Sequence, residues 1–393
     1  MKFSRRALIK SQAILGGLLA SGTGWSQSTN LQARLKGLGP LQDPDHLGIK
    51  LPKGFKSRLV ATSGQEVPLV SGDQSDYKWH PAPDGGACFP TENGGWVYVS
   101  NSEVDPGGGA GALRFSPEGD VEDAYPILRR TRNNCAGGPS PWNTWFSCEE
   151  VDRGKVFECQ VTQPSYSGLV CDGLGWFKHE AVAFDPKTMV AYLTEDERDG
   201  CFYRFRPNYP QPSGYSYGAG KGVLEVAEVQ RGGLVRWHKV PSPNPSIWQK
   251  PTRKQVPEAT IFRGGEGIWF HEGALYFTTK HDNRVWVYHQ NKETIGICYD
   301  LQTSKTPILS GVDNVVVAGD GTVIVAEDGG DMQLVTLDPM GYAIAFLQVV
   351  GQDHSELTGP AFSPEGDRLY FSSQKGGKGR GLTYEITGPF LES

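Results

Sequence analysis

Six segments of this 393-residue chain share one form: a turn with glycine or proline, a short apolar run, and a polar or charged end. They are residues 95–103, 143–150, 189–196, 273–280, 321–328 and 367–374. Each follows another short run that opens on its own polar group: Asp84-Gly85-Gly86, Asn134-Cys135, His179-Glu180, Gly265-Glu266-Gly267, Asp313-Asn314, and residues 356–359. The spacing of roughly 45–50 residues is that of a propeller blade. Six such units close most simply as an all-β, six-bladed β-propeller in a single domain, because closure leaves only short, protected sheet edges. The six segments are expected to be the innermost strands, with their polar ends gathered at one mouth of the axial channel. The interval between the third and fourth segments is nearly twice the others. It holds residues 207–220 and a polar stretch, 237–258, and reads as a loop insertion; a seventh blade hidden there is the alternative.

Composition agrees with many turns and short strands: glycine occurs 51 times and proline 27 times. A formal charge of −6 argues against a nucleic-acid surface, which needs a basic stripe. The N-terminus reads as a targeting segment over residues 1–27. Ser4-Arg5-Arg6 has the twin-arginine form, and the apolar run 13–20 is too short for a membrane span. An ordinary secretory signal or a retained anchor is the plainer reading. Residues 28–50 are expected to be a linker and 51–393 the propeller. The implied location is periplasmic or secreted, with the twin-arginine export machinery as a partner and no stable membrane anchor on the mature, monomeric protein.

Ten carboxylates stand at or near the strand ends: Glu103, Glu149, Glu150, Glu180, Glu195, Asp196, Glu266, Asp313, Glu327 and Asp328. In any single blade such an acid is most simply a solvated residue beside a turn. Gathered from most of six blades they would repel one another unless cations met them. Oxygen-rich sites suit hard cations such as calcium, magnesium, manganese or ferric iron. There are only eight histidines, with no His-Glu-x-x-His pattern and no Cys-x-x-Cys pair, so a structural zinc site is not expected. Cys135 stands before Gly137 and Gly138 and is either a packed or disulfide-bonded cysteine or a thiolate ligand for a transition metal. The seven cysteines leave at least one outside any intramolecular disulfide; Cys159 and Cys171 are candidates to pair, while Cys148 and Cys201 are candidates to pack. At the fourth strand end, Lys280, Asn283 and Arg284 are the candidates for catalytic contact with an anionic substrate, a surface salt bridge being the plain alternative for the two cations. Trp142, Trp145, Trp269 and Trp286 read as packing between blades.

At these residues the sequence resembles the PhoX-type alkaline phosphatases, including the shorter members of that family. The matching motifs are Asn134-Cys135-Ala136-Gly137-Gly138, then Pro141-Trp142-x-Thr144-Trp145 and Cys148-Glu149-Glu150; His179-Glu180-Ala181; Leu193-Thr194-Glu195-Asp196; Gly265-Glu266-Gly267; Asp282-Asn283-Arg284-Val285-Trp286; Asp313-Asn314; and Glu327-Asp328-Gly329. The resemblance implies a six-bladed propeller whose axial site holds ferric iron and calcium bridged by an oxo group, hydrolysing small phosphomonoesters outside the cytoplasm. It implies Cys135 as the iron thiolate and Glu180, Glu195, Glu266, Asp313 and Glu327 as shared carboxylate ligands, with Glu149 or Glu150 on the calcium side. Which acid of an adjacent pair ligates does not follow from the sequence. A non-catalytic calcium-binding propeller and a calcium-dependent lactonase or esterase are the competing functions; neither has need of a thiolate together with Lys280 and Arg284.

Overall fold

The computed structural model describes residues 38–208, 217, 221–338 and 340–390; the segment 1–27 and most of 207–220 lie outside them. Strands β1 (Ile49–Lys50) and β2 (Lys56–Thr62) come first, then a small hairpin of β3 (Glu66–Pro68) and β4 (Gln74–Lys78). Six antiparallel blades follow. Blade I is β5 (Pro83–Pro90), β6 (Trp96–Ser102), β7 (Gly108–Phe115) and β8 (Val121–Thr131). Blade II is β9 (Asn134–Pro139), β10 (Thr144–Glu149), β11 (Val156–Gln160) and β12 (Leu169–Val170). Blade III has five strands: β13 (His179–Phe184), β14 (Ala191–Glu195), β15 (Phe202–Pro207), β16 (Gly222–Val229) and β17 (Val235–Lys239). Blade IV is β18 (Gly265–His271), β19 (Ala274–Thr279), β20 (Arg284–His289) and β21 (Thr294–Asp300). Blade V is β22 (Val312–Val317), β23 (Val323–Glu327), β24 (Gln333–Leu337) and β25 (Ala343–Val349), extended by β1. Blade VI is β26 (Leu357–Phe362), β27 (Arg368–Ser373) and β28 (Leu382–Thr387), and β2 completes it from the other end of the chain.

The first strand of each blade packs on the first strand of the next, from β5 through β9, β13, β18 and β22 to β26, and β26 packs back on β5. This closed ring lines the axis. The six repeated apolar segments are therefore the second strands, β6, β10, β14, β19, β23 and β27, and the expectation that they are innermost is corrected. The long third interval is filled by the added strand β17 and a connection across 240–264; among the described residues there is no seventh blade. Pairing of the propeller begins at Ile49, inside the stretch read as a linker.

Blades are joined by large aromatic contacts. Tyr98 of blade I stacks on Tyr370 of blade VI at 5.1 Å, Phe146 of blade II meets Phe184 of blade III edge-on at 4.7 Å, and Phe202 of blade III stacks on Phe277 of blade IV at 4.6 Å. Trp142 packs on Phe146, Phe184 and Tyr217, and Trp286 on Phe262 and Phe277, as expected of packing residues. Near the axis the inner strands approach too closely for side chains. A Cβ on Gly85 would lie 2.5 Å from the Ala136 backbone, and one on Gly267 2.7 Å from that of Asn314. All seven cysteines are free, so Cys159 and Cys171 are not joined; Cys148, Cys171 and Cys201 pack in one apolar cluster between blades II and III.

Candidate metal centre

Every inner strand departs from regular pairing near its start. In blades I to V its first residue pairs with the end of the second strand (Pro83 with Ser102, Asn134 with Glu149, His179 with Glu195, Gly265 with Thr279, Val312 with Glu327), and one extra residue follows. Blade VI breaks one step later, after Thr358. Such a bulge re-aims the side chain it carries. The second residues of the six inner strands are Asp84, Cys135, Glu180, Glu266, Asp313 and Thr358, all buried. Their backbone is fixed across blades: Asn101 Nδ2 donates to the carbonyl of Cys135 at 3.2 Å, and Thr194 Oγ1 to that of Glu266 at 2.5 Å. The Thr278 hydroxyl donates to the carbonyl of Asp313.

A second tier comes from the residue just after each second strand: Glu103, Glu150, Asp196, Lys280, Asp328 and Gln374. Four of these, Glu103, Glu150, Lys280 and Gln374, line a cavity of about 260 Å³ with Cys135, Glu266 and Asp313 from the inner tier and with Glu356 and Lys375. Three groups of donor atoms lie mutually within 4.8 Å: Asp84, Glu103 and Cys135; Cys135, Glu150 and Glu180; Glu180, Glu266 and Asp313. Cys135 and Glu180 are each shared by two groups.

Glu180 is fully buried and neither of its carboxylate oxygens has a hydrogen-bond partner among the described residues. Burial, then the charges of Glu266, Glu150, Asp313 and Asp84, hold its carboxyl well above the usual range. Burial acts the same way on Asp84, Glu266 and Asp313, and with the Glu103 charge it pushes Glu150 up to about 8. Burial and then the charges of Asp84, Glu180, Glu103 and Glu150 push the Cys135 thiol well above its ordinary range. Buried acids are normally paired, hydrogen-bonded or metal-bound. An orphaned carboxylate amid converging oxygens and one thiol is therefore a donor set that fits cations, with the sulfur favouring a transition metal at one position.

Lysine ammoniums sit against this set. Lys280 Nζ is 3.0 Å from Glu266 and 3.4 Å from Asp328, and Lys178 Nζ is 2.8 Å from Glu150 and 2.9 Å from Asp196. Burial opposes the charge on Lys280, but Glu266, Asp313, Asp196 and Asp328 outweigh it and hold the ammonium well above its ordinary range. Lys375 pairs with Glu356 at 3.0 Å.

The structure divides the residues singled out in the sequence. Cys135, Glu150, Glu180, Glu266, Asp313 and Lys280 come together. Glu149, Glu195 and Glu327 do not, which corrects their expected place in the cluster. Each closes the turn at the end of its strand. Glu149 accepts from the backbone N–H of Arg132 (3.0 Å) and Lys155 (3.1 Å), and Glu327 from those of Ser310 (3.1 Å) and Gln333 (3.0 Å). Glu195 accepts from the Cys201 N–H and Tyr203 hydroxyl and pairs with Arg253 at 3.2 Å. Arg284 lies on β20 and is engaged by Asp282 (3.1 Å) and Asp300 (2.9 Å). Asn283 takes a left-handed turn at φ 49° and accepts the Gly311 N–H at 2.6 Å. Neither lines the cavity. Asp84, Glu356, Gln374 and Lys375 are absent from the ligand and catalytic sets the sequence suggests. The repeat pattern places Asp84 and Glu356 at the heads of inner runs and Gln374 at the end of a repeated segment without giving them a ligand role; nothing local marks Lys375.

The family model for alkaline phosphatase PhoX matches residues 104–165 and 151–299. Among solved structures, Pseudomonas fluorescens PhoX in complex with vanadate, a transition state analogue, is similar at TM-score 0.68 and 16% identity, covering 89% of this chain and 97% of its own. A Bacteroides thetaiotaomicron protein of unknown function aligns at TM-score 0.50 and 11% identity over 88% of this chain and 84% of its own. At these identities the two structures speak to the fold. No curated protein matches the sequence. The family match and the six-bladed architecture agree with the motifs around Cys135 and Glu180, and the chain belongs to the alkaline phosphatase PhoX family.

Proposed function

We propose that the chain is an exported, monomeric, metal-dependent phosphatase that hydrolyses small phosphomonoesters at the axial cavity. The observation that carries the reading is Glu180, buried with both oxygens unpartnered among the described residues, shared by two groups of potential ligands that border a cavity edged by Lys280. Asp84, Glu103, Cys135, Glu150, Glu180, Glu266 and Asp313 would hold the cations, taken from the family resemblance as ferric iron and calcium. When bound, such cations polarise phosphoryl oxygens and lower the pKa of water. The protein's own groups do the rest. A cavity of about 260 Å³ suits a phosphoryl head and little of its alcohol. Lys280 donates to a phosphoryl oxygen and offsets the charge that develops there. Lys375, two blades on, gives the anion a second cationic contact. The twin-arginine reading of the N-terminus supports export in the folded, loaded state.

The test is hydrolysis of a chromogenic phosphomonoester by protein purified after native export. Activity is expected, with a loss on chelation and a fall of about 10²–10³ in kcat for Lys280→Ala. A metal-replete protein that leaves phosphomonoesters intact, or that opens a lactone instead, would contradict the proposal.

A further inference from the structure

A single carboxamide joins two of the three ligand groups. Asn133 sits in the turn between β8 and β9 at φ 45°, a left-handed conformation that asparagine and glycine tolerate best. Its Nδ2 donates to Glu103 Oε1 at 3.1 Å and to Glu150 Oε2 at 3.1 Å. Glu103 belongs to the group with Asp84 and Cys135, and Glu150 to the group with Cys135 and Glu180. The backbone repeats the link: the Asn133 N–H donates to the Val104 carbonyl at 2.8 Å, and the Glu150 N–H to the Asn133 carbonyl at 2.9 Å. On its other side Glu103 accepts from Gln374 Nε2, which also donates to Asp84 Oδ2 at 2.7 Å. Lys178 holds the other oxygen of Glu150. The rim carboxylates thus alternate with donors drawn from neighbouring blades, and Asn133 is the member that spans both groups containing Cys135.

We infer that Asn133 is a positioning residue for the metal centre, setting the distance and orientation of Glu103 and Glu150 so that the two cation positions sharing Cys135 form together. The inference rests on the metal-centre reading above. Hydrogen bonds of this kind orient ligands, and their loss typically weakens metal binding 10–100-fold. An amide between two acids also holds them apart without adding charge, which a lysine there would not do.

Asn133→Gly isolates the carboxamide. Glycine adopts φ 45° without strain, so the turn and its backbone bonds are kept. Arg132→Ala is the control in the same turn, because among the described residues that side chain hydrogen-bonds to Asp105 and to no member of the three ligand groups. Calcium binding is read by calorimetric titration of chelated full-length mature protein, and iron per chain by elemental analysis of natively exported protein. Asn133→Gly is expected to bind calcium at least 10-fold more weakly and to carry less iron, with Arg132→Ala matching the wild type. Calcium affinity within twofold of wild type and an unchanged iron content would overturn the inference while leaving the metal centre in place. Equal losses in both variants would overturn it too, by showing a general disturbance of the turn. A wild-type protein that binds neither metal would overturn it together with the reading it rests on.

Discussion

Glu180→Gln should make the metal-free protein more stable and the metal-loaded protein less stable than wild type. This carboxyl is fully buried with no hydrogen-bond partner on either oxygen among the described residues, and Glu266, Glu150, Asp313 and Asp84 crowd it with like charge. An unsatisfied buried polar group costs about 1–3 kcal/mol, and a charged one more. Glutamine has nearly the same shape, carries no charge, and offers two N–H donors to the surrounding carboxylates. The gain should therefore be about 1–3 kcal/mol and should grow with pH as the wild-type acid is forced to ionise. With cations present the sign reverses, because Glu180 is shared by two of the three ligand groups. A variant that loses the stabilisation conferred by ligand at 100 times its Kd gives up about 2.7 kcal/mol. Thermal melts of both proteins, chelated and loaded, provide the readout. A loss of stability in both states would mean that Glu180 is an ordinary packing carboxylate.

Stripped of metal, the wild-type protein should melt lower as pH rises from 5.5 to 8.5. Asp84, Glu180, Glu266 and Asp313 have carboxyls raised by burial, and Glu150 is raised from 4.5 to about 8 by burial and Glu103. Above about pH 4.5 the unfolded chain releases protons that the folded protein keeps. The folded state then binds more protons, so unfolding free energy falls as pH rises, across 4.5 to about 8 for Glu150 and further for the others. Bound cations favour the ionised forms and reverse the slope. The chelated protein should lose at least about 5 °C in Tm across this range, while the loaded protein holds steady or gains. Identical pH profiles with and without chelator would contradict a cluster of mutually repelling acids at the axis.

The repeat was legible because each blade restates one pattern: a turn, an apolar run such as Trp96-Val97-Tyr98-Val99, and a polar end. The strand lining the axis was harder to read for a physical reason. Inner strands need small residues where they crowd together, so Asp84-Gly85-Gly86 and Cys135-Ala136-Gly137-Gly138 look like turns. The eye is drawn one strand outward. Adjacent acids such as Glu149 and Glu150 must face opposite sides of a strand, but which side meets the axis depends on the neighbouring blade. The structure puts Glu150 at the cavity and Glu149 on backbone amides. Arg284 misled because a cation near a strand end reads alike whether it faces a ligand or a neighbouring Asp300. Gln374 was hidden by chemistry: at the position where the other blades present an acid or a lysine, blade VI presents a donor.

The central claim is that the axial residues hold metal, and elemental analysis of natively exported wild type beside Cys135→Ser tests it most directly. The wild type is expected to carry both iron and calcium. Cys135→Ser should lose most of its iron, because a hydroxyl is harder and far less acidic than the thiol, while calcium should fall less, since the carboxylates that favour it remain. Neither metal in the wild type, or full iron in Cys135→Ser, would contradict the account.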